Sequence, residues 1–127
     1  MSEKKIALIT GATSGIGEST SFELANQFSL IICGRNKDKL YELSNELSKK
    51  TNVKTLEFDV RDKEDVREII SSLSDDWKNI DILINNAALD PKVNKNNLSL
   101  SNSRLENFDV QQWNKEISVC LTGAFLC

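Results

Sequence analysis

Three glycines, Gly11, Gly15 and Gly17, fall within the run Thr10-Gly11-Ala12-Thr13-Ser14-Gly15-Ile16-Gly17. The run follows a short aliphatic stretch and precedes a helical pattern. Glycines at this spacing act through what they lack. At Gly11 the chain can turn tightly, at Gly15 the backbone can approach a ligand, and at Gly17 a helix can lie close against a sheet. Free backbone N–H groups at the helix start, together with the helix dipole, favour a phosphate there. The sequence contains no histidine, which removes Ser-His-Asp and Cys-His nucleophile schemes and the commonest zinc sites. No metal site is expected. Cys33, Cys120 and Cys127 are odd in number and unevenly spaced, the pattern of a reduced, cytoplasmic protein rather than a disulfide framework. Any acid–base chemistry falls to carboxylates, lysines or the single tyrosine, Tyr41.

The elements that must position this turn alternate regularly. Lys5 to Thr10 reads as a strand, and Ile16 to about Phe28 as a helix burying Phe22, Leu24, Ala25 and Phe28. Leu30 to Cys33 is a second strand. Asn36 can cap a helix carrying Leu40, Leu43 and Leu47 on one face. Val53 to Phe58 is a third strand, and Asp62 opens a helix with Val66, Ile69, Ile70 and Leu73 inward. Ile80 to Ile84, nearly all apolar, reads as a fourth strand covered on both faces. Ala88 to Asn107, with the single proline Pro91, breaks the periodicity and is expected to be a loop. Asn97-Leu98-Ser99 within it matches a glycosylation acceptor only by chance. A last helix starts at Asp109, with Gln112 at its third position and Phe108 and Trp113 placed as a hydrophobic staple. Its predicted buried face is Val110, Trp113, Ile117, Cys120, Leu121, Ala124 and Phe125.

Strands alternating with helices imply a parallel sheet with right-handed crossovers. The fold class is therefore α/β, a Rossmann-like doubly wound sheet of order 3-2-1-4, whose ligand site lies between the first and fourth strands. Residues 1–127 read as a single nucleotide-binding domain, incomplete at the C-terminus because Cys127 falls inside a predicted helix without a cap. The net charge is -3 with no basic stripe, so neither nucleic acid nor an anionic membrane is an expected partner. No apolar run approaches the ~18–20 residues of a membrane span, and the first apolar run is too short for a secretory signal.

The Thr-Gly-x-x-x-Gly-x-Gly spacing resembles that of the short-chain dehydrogenases/reductases, and three further landmarks follow in the family's order. They are Asp59-Val60 after the third strand, Asn85-Asn86-Ala87-Ala88 after the fourth, and Trp113 with Leu121-Thr122-Gly123-Ala124-Phe125 in the last helix. The stretch from Asn85 to Pro91 also bears a weak resemblance to reductases of bacterial surface-sugar or flagellin modification. The resemblance implies an oxidoreductase that moves hydride between a nicotinamide dinucleotide and a small carbonyl or alcohol. It implies cofactor contacts at Gly11, Thr13, Ser14, Gly15, Ile16, Gly17, Arg35, Asp59, Val60, Asn86 and Ala87, with Asp59 accepting from the adenine amino group. Asn85 is expected to tie down the strand end. It also implies a homo-oligomer in the full-length form, with the fourth helix against a partner subunit.

The acidic residue that holds a ribose 2′-hydroxyl in NAD-binding domains is replaced by Gly34, followed by Arg35. A guanidinium suits a 2′-phosphate, so NADP is favoured over NAD. Asp38 lies too far along the next helix to substitute for the missing acid. The family's Tyr-x-x-x-Lys pair and its serine are absent: Tyr41 is followed four residues later by Asn45. Cys120 stands where the family has a proton-relay asparagine, and is expected to be buried packing. The 127-residue chain is accordingly predicted to bind cofactor without turnover. A non-catalytic nucleotide- or partner-binding module is the alternative reading.

Overall fold

The computed structural model describes residues 3–89 and 109–127. Residues 90–107 of the expected Ala88–Asn107 loop, the Asn97-Leu98-Ser99 acceptor and the Phe108 half of the staple lie outside the described residues. Four strands, β1 (Ile6–Ile9), β2 (Ser29–Gly34), β3 (Val53–Glu57) and β4 (Ile82–Ile84), alternate with α1 (Gly15–Leu24), α2 (Lys37–Leu47) and α3 (Lys63–Ser71). After β4 comes α4 (Val110–Ile117), which runs through a π-helical segment, Ser118–Gly123, into a short α5 (Ala124–Leu126).

All three strand pairings are parallel and the order is β3-β2-β1-β4, the Rossmann-like arrangement. Because side chains alternate across a strand, β1 and β2 feed two cores. Ala7, Ile9, Leu30 and Ile32 meet Leu40, Leu43 and Leu47 of α2 on one face. Ile6, Leu8, Ile31 and Cys33 meet Val66 of α3, Leu73 and Val119 on the other. Helices on both faces of a parallel sheet make it doubly wound.

Helix starts follow their side-chain caps. Asn36 Oδ1 accepts from Lys39 N at 3.1 Å, and Asp62 Oδ1 accepts from Glu64 N and Asp65 N, both at 3.1 Å. Asp109 Oδ1 accepts from Gln111 N. Gln112 does not complete a reciprocal cap; its Nε2 donates to Glu116 Oε1.

Three expectations about packing are corrected. α1 ends at Leu24 rather than near Phe28, and Gly17 and Ser21 are buried within it, while Ala25 is fully buried and Phe22, Leu24 and Phe28 pack half-buried on the core as expected. Small residues let α1 press on the sheet, and Ser21 Oγ is satisfied within the helix by donating to Gly17 O. β4 is not covered on both faces: Leu83 is 43% exposed, because β4 is the terminal strand of the four.

The face of α4 and its continuation is turned over relative to the prediction. Val119 and Gly123 are buried, whereas Val110, Trp113, Leu121 and Phe125 are exposed. The inner stripe is the one that fits. Gly123 lies so close to Val60 that an added Cβ would come within 2.7 Å of Val60 Cγ2. The apolar stripe beside it faces outward.

Replacing Asp62 by Ala leaves the N–H groups of Glu64 and Asp65 without their shared acceptor. The expected loss is about 1 kcal/mol, read as a lower midpoint in urea unfolding with unchanged slope.

Candidate nucleotide-binding site

β1 and β4 are neighbours whose onward connections leave toward opposite faces, and the chain must seal the gap between their C-terminal ends. Thr10, 1% exposed, does so with one oxygen. Its Oγ1 accepts from Asn86 N and Ala87 N, each at 3.0 Å, and donates to Ile84 O at 3.4 Å. Thr10 N also donates to Ile84 O. Asn86 Nδ2 then donates to Gly11 O at 3.0 Å. The expected tie through Asn85 is therefore made by Asn86. Asn85 is exposed, since side chains at this strand end alternate and Asn86 is the one directed at the turn.

The glycines in the turn each meet a constraint. Gly11 and Gly15 have φ of 63° and 54°, a region that side-chain-bearing residues avoid. A Cβ on Gly17 would overlap Gly11 O and come within 2.5 Å of Asn86 Nδ2. α1 differs from α2, α3 and α4 in having no side-chain cap, because Ser14 at its N-cap accepts no hydrogen bond. Its first N–H groups are left for an anion.

Above this turn lies a cavity of about 620 Å³, between the C-terminal ends of the strands. Every expected cofactor-binding residue lines it except Gly17, which is buried beneath as a spacer. One wall is the glycine turn with Thr13, Ser14 and Ile16; the opposite wall is Asn86 and Ala87. Arg35, Asp59 and Val60 close the end beyond β2 and β3, and Val119 reaches in from the π-helical segment. Lys39, in the first turn of α2, lines the cavity as Arg35 does and was not among the expected site residues; the available signal was a second cation shortly after Arg35. Gly34 suits its place, since a Cβ there would stand 3.2 Å from the Thr13 methyl.

Asp59 is engaged as well as exposed to the cavity. Arg61 Nε donates to both its oxygens at 3.0 and 3.1 Å, Arg61 NH2 to Oδ2 at 2.6 Å, and Arg61 N to Oδ1 at 3.0 Å. These bonds hold the Asp59 carboxyl below its ordinary range. Burial pushes the Cys33 thiol up, so it is protonated and inert at neutral pH. Cys120 is exposed, not buried packing, because α4 turns the opposite stripe inward. Tyr41 is 67% exposed on α2 and does not line the cavity. Among the described residues no group of His, Cys, Asp and Glu could hold a metal ion, and no helix is long and apolar enough to cross a membrane.

A cavity at the switch point of a doubly wound sheet, over a glycine turn and an uncapped helix, is a nucleotide site in form. A profile described as short chain dehydrogenase matches residues 5–127. The chain belongs to the short-chain dehydrogenase family.

Sulfoacetaldehyde reductase 2 of Chromohalobacter salexigens is 34% identical over 119 residues, 93% of this chain and 44% of that protein. The closed form of a serine dehydrogenase complexed with NADP+ is 33% identical with a TM-score of 0.79, over 95% of this chain and 45% of the other. L-Sorbose reductase of Gluconobacter frateurii, complexed with NADPH and L-sorbose, is 25% identical with a TM-score of 0.79, over 98% of this chain and 44% of the other. This short-chain dehydrogenase sequence thus spans less than half the length of these relatives.

Two outcomes follow from the geometry. Thr10→Val keeps the side-chain volume but leaves Ala87 N without its acceptor and Asn86 N with Ile84 O alone, and is expected to cost on the order of 1–3 kcal/mol in denaturant unfolding. The Asp59–Arg61 pair depends on pH with a definite sign. A carboxyl whose folded value lies below its ordinary one stabilises the fold above about pH 4 and ceases to do so as pH falls through the folded value. Arg61→Gln is therefore expected to be less stable than the unaltered chain by under ~1 kcal/mol at pH 6, the gap closing in urea titrations as the pH falls through the folded value.

Proposed function

We propose that this chain is the NADP-binding part of an oxidoreductase acting on a carbonyl or alcohol, and that residues 1–127 form one nucleotide-binding domain. The observation that carries the reading is Arg35. It lines the cavity at the end of β2, where Gly34 replaces an acid, and among the described residues it makes no hydrogen bond or ion pair. A guanidinium there can hold a 2′-phosphate with two parallel N–H donors, and Ser14 can add a hydroxyl. Two solved relatives with NADP+ or NADPH support the same preference.

The residues divide the dinucleotide between them. The N–H groups at the start of α1, with Gly11, Thr13, Gly15 and Ile16, would hold the pyrophosphate, and Gly17 sets how closely the helix approaches. Asp59 would accept from the adenine amino group beside Val60. Asn86 and Ala87 would border the adenosine ribose. When bound, the cofactor supplies or receives the hydride.

Proton transfer is a separate requirement. Among the described residues the cavity is lined by Asp59, whose carboxyl is held ionised, and by Lys39, with no tyrosine beside a lysine, so the 127-residue chain is expected to bind cofactor without turning over a substrate. The exposed apolar side of α4 and α5 supports assembly of the longer protein with a second copy of itself. The three free thiols support a cytoplasmic setting.

Titration of the chain with NADPH and NADH, followed by ligand fluorescence, tests the reading. NADPH is expected to bind more tightly, and Arg35→Asp to swing the ratio toward NADH by about tenfold or more. Tighter NADH binding by the unaltered chain would sink it.

A further inference from the structure

We infer that Arg61 sets the cofactor preference without touching the cofactor, by occupying Asp59 so that Arg35 stays free for a 2′-phosphate. This rests on the NADP reading above. β2 and β3 are parallel neighbours, Gly34 is in register with Glu57, and Phe58 N donates to Gly34 O at 3.1 Å. Arg35 and Asp59 therefore leave adjacent strands one residue apart in register, where neighbouring backbones lie about 4.8 Å apart. Both line the same end of the cavity. An arginine and an aspartate so placed would ordinarily close on each other as a two-pronged ion pair.

They do not. Both oxygens of Asp59 face Arg61, which donates from Nε, NH2 and its backbone N. Arg61 is absent from the cavity lining, so its charge is spent behind the carboxylate rather than on a ligand. Arg35 is close enough to help hold Asp59 ionised, but it is the weakest of the contributors and Arg61 the strongest. The result is a local pattern of one neutralised acid and two uncommitted cations, Arg35 and, one turn along α2, the Lys39 ammonium.

Removing Arg61 changes that pattern twice over. The bare carboxylate would repel a phosphate dianion, and it would draw the Arg35 fork to itself. Both effects act on a 2′-phosphate and leave a 2′-hydroxyl almost unaffected. The diagnostic quantity is therefore the ratio of the NADH and NADPH dissociation constants, in which losses common to both cofactors, such as an adenine contact at Asp59, cancel.

The test measures that ratio for the unaltered chain, Arg61→Gln, Arg61→Lys and the double variant Asp59→Asn/Arg61→Gln, with far-UV circular dichroism to establish that each is folded. Arg61→Gln is expected to lower the preference for NADPH about tenfold, Arg61→Lys to keep most of it, and the double variant to restore it. Restoration in the double variant separates charge masking from a structural role, because it removes the carboxylate instead of replacing its partner. An unchanged ratio in Arg61→Gln, or no recovery in the double variant, overturns the inference and leaves the cofactor reading standing. A chain that shows no preference for NADPH before any substitution overturns the cofactor reading, and this inference with it.

Discussion

The arrangement at the cavity depends on how closely two backbone segments approach each other. The turn after β1 and the chain after β4 meet where Gly11 and Gly17 offer no side chain to hold them apart. Gly11 O accepts from Asn86 Nδ2, the Gly11 Cα lies against Ala87, and Gly17 packs under both without room for a methyl group. Thr10 Oγ1 accepts from Ala87 N and shares Asn86 N with Ile84 O at the end of β4. This contact fixes the direction in which α1 leaves the sheet, and with it where the unsatisfied N–H groups at its start are aimed. The same contact fixes Asn86 and Ala87 as the opposite wall.

The electrostatic character of the cavity follows from which donors have been satisfied within the protein. α2, α3 and α4 start from Asn36, Asp62 and Asp109, each accepting from backbone N–H groups. α1 alone among these helices has no such cap and opens on the cavity. At the other end of the site, Arg61 satisfies Asp59 from behind. Charge is thus organised by exclusion: Arg61, outside the lining, takes up the Asp59 carboxylate, and Arg35, Lys39 and the first N–H groups of α1 are left to a ligand.

α4 with its continuation serves two surfaces. Its inner stripe delivers Val119 to the cavity wall and brings Gly123 against Val60, so it helps hold the residue that follows Asp59. Its outer stripe exposes Trp113, Leu121 and Phe125. Contiguous apolar area of this kind is seldom left in water, whereas the inner stripe is short on apolar bulk. The π-helical segment between α4 and α5 widens the turn where the two surfaces adjoin.

The parts of this arrangement that were readable in the sequence are those governed by local rules. Apolar runs between capping residues gave the strand order, and Leu40, Leu43 and Leu47 are buried as their spacing required. The glycine turn was readable because only glycine meets the backbone geometry there. Periodicity located an apolar stripe on α4 but could not say what covers it; the sheet accepts the stripe that is small enough at Gly123, and the apolar one turns away. Asn85 and Asn86 are chemically identical, and only the alternation at the end of β4 decides which reaches Gly11. Arg61 was invisible for a related reason. A cation two residues after an acid has no periodic signature, and its effect depends on a third residue, Arg35, that only strand pairing brings alongside. Cofactor preference is therefore written less in the residue that meets the phosphate than in whether its neighbours leave that residue unoccupied.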